Sequence, residues 1–154
     1  MKKIILVIAG IFLFSLVLTA NKLKEVRDYY FQVNTEEIEL DDYESFIEKN
    51  VIDSSIEWKG YQIMTWFLKA KDYYNPVNKL EAFNIGRNKL DSLLTSYPNS
   101  VELRFLRYTV QDNAPGFLGY NNNLIEDKKF ITQQYNTLED LDLKTRIFNY
   151  LKEK

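Results

Sequence analysis

The chain has 154 residues, room for one domain plus a short targeting segment but not for two full-sized domains. Its formal charge of −2, with 20 basic against 22 acidic residues, supplies no clustered positive face and excludes nucleic acid as a partner. It contains neither cysteine nor histidine, which removes disulfides, thiol nucleophiles, thiolate or imidazole metal ligands and every triad built on an imidazole.

Met1-Lys2-Lys3 precedes an apolar run from Ile4 to Leu18, closed by Thr19-Ala20-Asn21. A basic start, an apolar stretch and small residues beyond it predict a signal peptide over residues 1–20, cut after Ala20, although Leu18 is large for the −3 position. Losing Lys2 and Lys3 leaves 18 basic against 22 acidic residues, a net of −4. The alternative is an uncleaved inner-membrane anchor. As a helix, Ile4–Ala20 spans roughly 25 Å at ~1.5 Å per residue, a little short of a ~30 Å hydrocarbon core. In both readings the bulk of the chain lies outside the cytoplasm, in the periplasm or attached to the envelope. Contact with membrane is confined to residues 1–20 if they are retained.

The remaining residues, 21–154, read as a single helical domain. Leu23, Val26, Tyr30 and Val33 recur at helical spacing and predict a first helix. An acidic stretch from Glu36 to Glu48, with Tyr43, Phe46 and Ile47 as its apolar stripe, predicts a second from Asp41 to Asn50. Ser54 and Glu57 have capping-box spacing and open a third. Ile56, Gly60, Ile63, Phe67, Ala70 and Tyr74 form its stripe, flanked by Trp66 and Leu68.

Asn75-Pro76 ends that helix and starts a fourth, because proline disfavours helix in its predecessor yet suits a first turn. Leu80, Phe83, Leu90, Leu94 and Tyr97 share one face of it. Gly86 falls inside this face, where it costs about 1 kcal/mol of helix propensity against alanine; close approach of the third helix explains it. Asn99 and Glu102 again have capping spacing, and the fifth helix, Ser100 to Asp112, is apolar on two opposite faces, as expected of an element sandwiched between layers. Ala114 to Tyr120 is non-helical. Asn123 opens a sixth helix after the Asn121-Asn122-Asn123 turn, and Thr137 caps a seventh carrying Leu143, Ile147, Tyr150 and Leu151. The expected fold is all-α: stacked antiparallel helix hairpins, as a short solenoid or a bundle.

Two resemblances carry this further. Leu80–Tyr97 and Val101–Val110, joined by Tyr97-Pro98-Asn99-Ser100-Val101-Glu102, resemble the junction between successive tetratricopeptide repeats, with Gly86 at the small position of the second helix. The resemblance covers about a third of the chain, without a second copy at the usual period of about 34 residues. Glu102-Leu103-Arg104-Phe105-Leu106-Arg107, Gln111-Asp112-Asn113-Ala114-Pro115, Phe117-Leu118-Gly119-Tyr120-Asn121 and Glu126-Asp127-Lys128 resemble a group of small, uncharacterised exported proteins of Bacteroidetes-type bacteria. That resemblance implies a helical extracytoplasmic protein; it implies no activity and no residue roles.

No motif points to a cofactor or a metal. The acidic run Glu36–Glu48 lacks the alternating Asp/Asn spacing and central glycine of a calcium loop, so a solvated helix face explains it better. Asp112, Glu126 and Asp127 are the carboxylates an envelope hydrolase would use, but no reaction-class motif accompanies them. The candidate partner-binding residues are Arg104, Arg107 and Gln111, on one stripe of the fifth helix between its two apolar faces. Lining a groove of stacked hairpins, they would fork onto a carboxylate or backbone of a protein or peptide. The competing expectation is that they pair with local acids. The function expected is therefore a non-enzymatic exported interaction module, with a carboxylate-dependent hydrolase or a membrane-tethered structural protein as alternatives.

Overall fold

The computed structural model describes residues 22–50 and 55–153. The predicted signal segment and Ser54 lie outside the described residues. Among the described residues there are α-helices, short 3-10 turns and no strand, so the all-α expectation holds. The helices are α1 (22–34), α2 (Leu40–Lys49), α3 (Ile56–Asp72), α4 (Pro76–Ser96), α5 (Val101–Asn113), α6 (Leu124–Gln134) and α7 (Leu141–Lys152). None of them is long and apolar enough to cross a membrane. The backbone gathers into two compact units, one ending at Tyr61 and the other running on from Gln62.

In the first unit, α1 ends in a Schellman turn: the Glu37 N–H reaches the Gln32 carbonyl at 2.8 Å and the Glu36 N–H that of Val33 at 3.2 Å. Glu36 takes the left-handed conformation there, at φ 62°. Val26, Tyr43, Ile47, Trp58 and Tyr61 are buried. The Tyr43 hydroxyl donates to the Tyr61 carbonyl at 2.8 Å, so its burial leaves no orphan. The rings of Tyr29 and Phe46 stack at 4.2 Å. The Trp58 indole N–H is buried without an acceptor among the described residues.

The second unit is built around α5. Seven of its thirteen residues are buried: Glu102, Leu103, Phe105, Leu106, Arg107, Tyr108 and Gln111. This is the covered element that its two apolar faces predict. Phe105 and Tyr108 join Ile131 of α6 and Leu143 and Ile147 of α7 in one core cluster. Gly86 behaves as expected: a Cβ there would stand 3.0–3.2 Å from the Phe67 ring of α3, which is edge-on to Phe83 at 5.4 Å.

Several boundary residues differ from expectation, each for a local reason. The cap of α3 is Ser55, whose Oγ accepts from the Trp58 N–H at 3.1 Å. That of α5 is Ser100, accepting from Leu103 at 3.3 Å. Asn99 is instead inside the turn closed by the Ser100 N–H on the Tyr97 carbonyl. Asn123 precedes α6 without a side-chain cap bond. Thr137 belongs to a 3-10 turn, and Asp140 caps α7 by accepting from Leu143 at 3.0 Å. Ala114–Tyr120 contains a 3-10 turn, Gly116–Leu118, closed by Gly119 at φ 59°. On α3 the deepest side chains are Trp58, Tyr61, Met64 and Leu68, one face round from the expected stripe; the helix ends at Asp72, so Tyr74, the last residue of that stripe, lies beyond it and is fully exposed. On α4, Leu80 is exposed although Phe83, Leu90 and Leu94 are buried, and Tyr97, the residue that caps its C-terminus, is exposed as well.

Candidate functional site

Arginines at positions i and i+3 of a helix project from one side, and on α5 this side faces α6 and α4. Arg107 forks onto Asp127: Nε donates to Oδ2 at 2.6 Å and Nη2 to Oδ1 at 2.9 Å. Arg104 Nη1 donates to the same Asp127 Oδ1 at 2.8 Å and to Glu126 Oε1 at 3.0 Å. Its Nε reaches the Pro98 carbonyl at 2.6 Å, and its guanidinium lies 4.4 Å from the centre of the Phe130 ring. Asp127 is 0% exposed. A buried carboxylate is tolerated only when paired and hydrogen-bonded, and two guanidinium groups supply both here.

On the other side Arg107 Nη1 approaches Asp91 Oδ1 of α4 at 3.4 Å. The Tyr120 hydroxyl donates to that same Asp91 oxygen at 2.9 Å. The Tyr120 ring is edge-on to Phe83 at 5.8 Å and carries the Arg87 guanidinium over it at 5.2 Å. Three helices and the segment between α5 and α6 are thus tied through one polar joint. Burial is the largest influence on Arg107 and pulls its pKa down. The hydrogen bonds and charge of Asp127, with Tyr120 and Asp91, outweigh it and leave the group above its ordinary value. Burial, reinforced by Asp91, pushes the Tyr120 phenol well up.

The structure therefore brings Arg104 and Arg107 together on one carboxylate. Gln111, one turn on, is 3% exposed, and among the described residues neither its amide nitrogen nor its oxygen has a hydrogen-bond partner. The acids named from sequence separate. Glu126 and Asp127 enter the joint, whereas Asp112 accepts from the Tyr150 hydroxyl at 2.9 Å. Asp91, Tyr120 and Arg87 were not singled out. The turn at Pro98-Asn99 fixes the level at which α4 and α5 face each other, but not the rotation of α4 that turns Asp91 toward Arg107.

In the first unit a cleft of about 500 Å³ lies between α1 and α2. Tyr29, Ile38 and Phe46 form its apolar wall and Asp42 is its single carboxylate, so it holds no acid pair. Among the described residues no group of three or more acids is placed to hold a metal ion. No protein-family model, curated protein or solved structure matches the chain.

Proposed function

We propose that the chain is a non-enzymatic, exported interaction module of tetratricopeptide-like hairpins, which takes a protein segment beside α5. The observation that supports this reading is the amide of Gln111, buried with a donor and an acceptor both unused. An unmade hydrogen bond of this kind costs about 1–3 kcal/mol, and a peptide unit offers the matching carbonyl and N–H. Arg104 and Arg107 serve as the frame: their guanidinium groups are spent on Asp127, Glu126 and Asp91. The same pairing argues against the hydrolase alternative, because Asp127 and Glu126 are taken up by guanidinium groups and do not converge on a shared open space.

Binding at Gln111 carries an opening cost, and the apparent affinity falls by the fraction of molecules in which the amide is reachable. Gln111→Leu tests the reading directly. Leucine is close in size and has no polar group to leave unpaired, so the variant folds with unchanged or slightly higher stability, by about 1 kcal/mol. Crosslinking pull-downs from the envelope fraction should recover partners with the parent chain and lose them with Gln111→Leu. Partners recovered equally by both would remove α5 as the binding element. The address is tested separately: mass spectrometry of the mature N-terminus distinguishes cleavage after Ala20 from a retained tether, which would show Met1.

A further inference from the structure

We propose that Arg87, seated on Tyr120 and level with Gln111, is a receptor for a carboxylate carried on a protein segment, an inference that rests on the module reading above. Within the second unit Arg104 and Arg107 have the carboxylates already described, and Arg146 has Asp142 at 2.9 Å. Arg87 is the exception among the described arginines there. Its charge is met by a ring face and by no acid.

The register of α4 and α5 places Arg87 with Gln111. The two helices run antiparallel from the turn at Pro98-Asn99, and Asp91 and Arg107 meet across them at 3.4 Å. One helical turn farther from the connection stand Arg87 on α4 and Gln111 on α5. Tyr120 spans both levels, with its hydroxyl on Asp91 and its ring under Arg87. The half-buried guanidinium is thus held in place before any ligand arrives.

Two donors without an acceptor, the Arg87 fork and the Gln111 amide nitrogen, define what is missing. A carboxylate accepts from both, and arginine binds it through two parallel hydrogen bonds. The Gln111 oxygen still needs a donor. A glutamate side chain attached to a peptide brings the carboxylate and a backbone N–H together, whereas a free dicarboxylate brings only the first.

The test follows the Arg87 Nε–H and Gln111 side-chain amide signals of the isotope-labelled protein by NMR. The probes are glutarate, its neutral analogue glutaramide, and the blocked peptide acetyl-Gly-Glu-Gly-amide beside its Gln counterpart. Saturable shifts of both signals with glutarate and the Glu peptide are expected, and none with the two neutral probes. Arg87→Gln should weaken both affinities by at least about tenfold. Shifts absent with every probe, or equal with charged and neutral probes, overturn the site. These comparisons use the parent protein, so they stand even if the variant does not fold; retained affinity in a folded Arg87→Gln also overturns it. Binding of glutarate without the Glu peptide keeps the carboxylate site and overturns the protein-segment reading.

Discussion

Asp127 accepts three short hydrogen bonds from two arginines while wholly excluded from water, and Glu126, its neighbour in sequence, shares Arg104 from the solvent side. Two adjacent acids on one arginine therefore carry very different weight. Removing the charge of Asp127 leaves two guanidinium groups under-satisfied, one of them buried. Asp127→Asn should cost about 3–5 kcal/mol in urea unfolding. Glu126→Gln, at an exposed carboxylate, should barely move the urea midpoint. Comparable losses would mean that the joint is not organised around Asp127. Glu126 has its own signature in pH. The hydrogen bond and charge of Arg104 hold its carboxyl below the ordinary 4.5. Its contribution is full above that value and disappears as pH falls through the lower folded value. Glu126→Gln should lower the neutral plateau slightly and flatten this part of the acid limb, so that variant and parent converge once pH falls below the folded value.

Helix α4 meets α3 at a close contact that glycine eases. Alanine at Gly86 gains about 1 kcal/mol of helix propensity, yet its Cβ would press on the Phe67 ring at 3.0–3.2 Å. The ring is backed edge-on by Phe83, so it yields only by disturbing that pair. Gly86→Ala should come out near zero, and the larger, branched Gly86→Val should lose about 1–3 kcal/mol by overpacking. In a Phe67→Leu background the alanine should turn stabilising, a coupling that a double-mutant cycle in thermal unfolding measures. Gly86 was legible in the sequence because a costly residue inside an apolar face needs a reason, and a close neighbour is the common one. The caps were legible only to within one residue at α3 and α5. Ser54 and Asn99 have better box spacing to Glu57 and Glu102, but at α5 the Pro98-Asn99 turn consumes Asn99 and passes the boundary to Ser100. The arginine stripe of α5 could be read from spacing alone. Its inward direction could not, since Asp91 and Asp127 lie 16 and 20 residues away from Arg107 and only the packing of three helices brings them to it.

Four buried or half-buried phenols distribute one further property over both units of the molecule. Burial raises Tyr30 to about 12, Asn34 opposing slightly, and lifts Tyr43 well above its ordinary 10.0. In the second unit, burial together with a hydrogen-bonded carboxylate raises Tyr120, beside Asp91, and Tyr150, beside Asp112. Each folded unit thus binds phenolic protons more tightly than its unfolded chain does. Stability from this source is complete below pH 10.0 and drains away as pH climbs through the folded values, beginning with Tyr30 near 12. An alkaline titration followed by tyrosinate absorbance and by helical circular dichroism should show a late block of ionisation that includes these four of the eleven tyrosines, rising together with helix loss. Tyr43→Phe and Tyr150→Phe each remove one phenol from that block, and so report which unit opens first. If all eleven tyrosines instead ionise near pH 10 with the helices intact, these rings are reached by solvent, and the tyrosine-lined interiors described for both units are wrong.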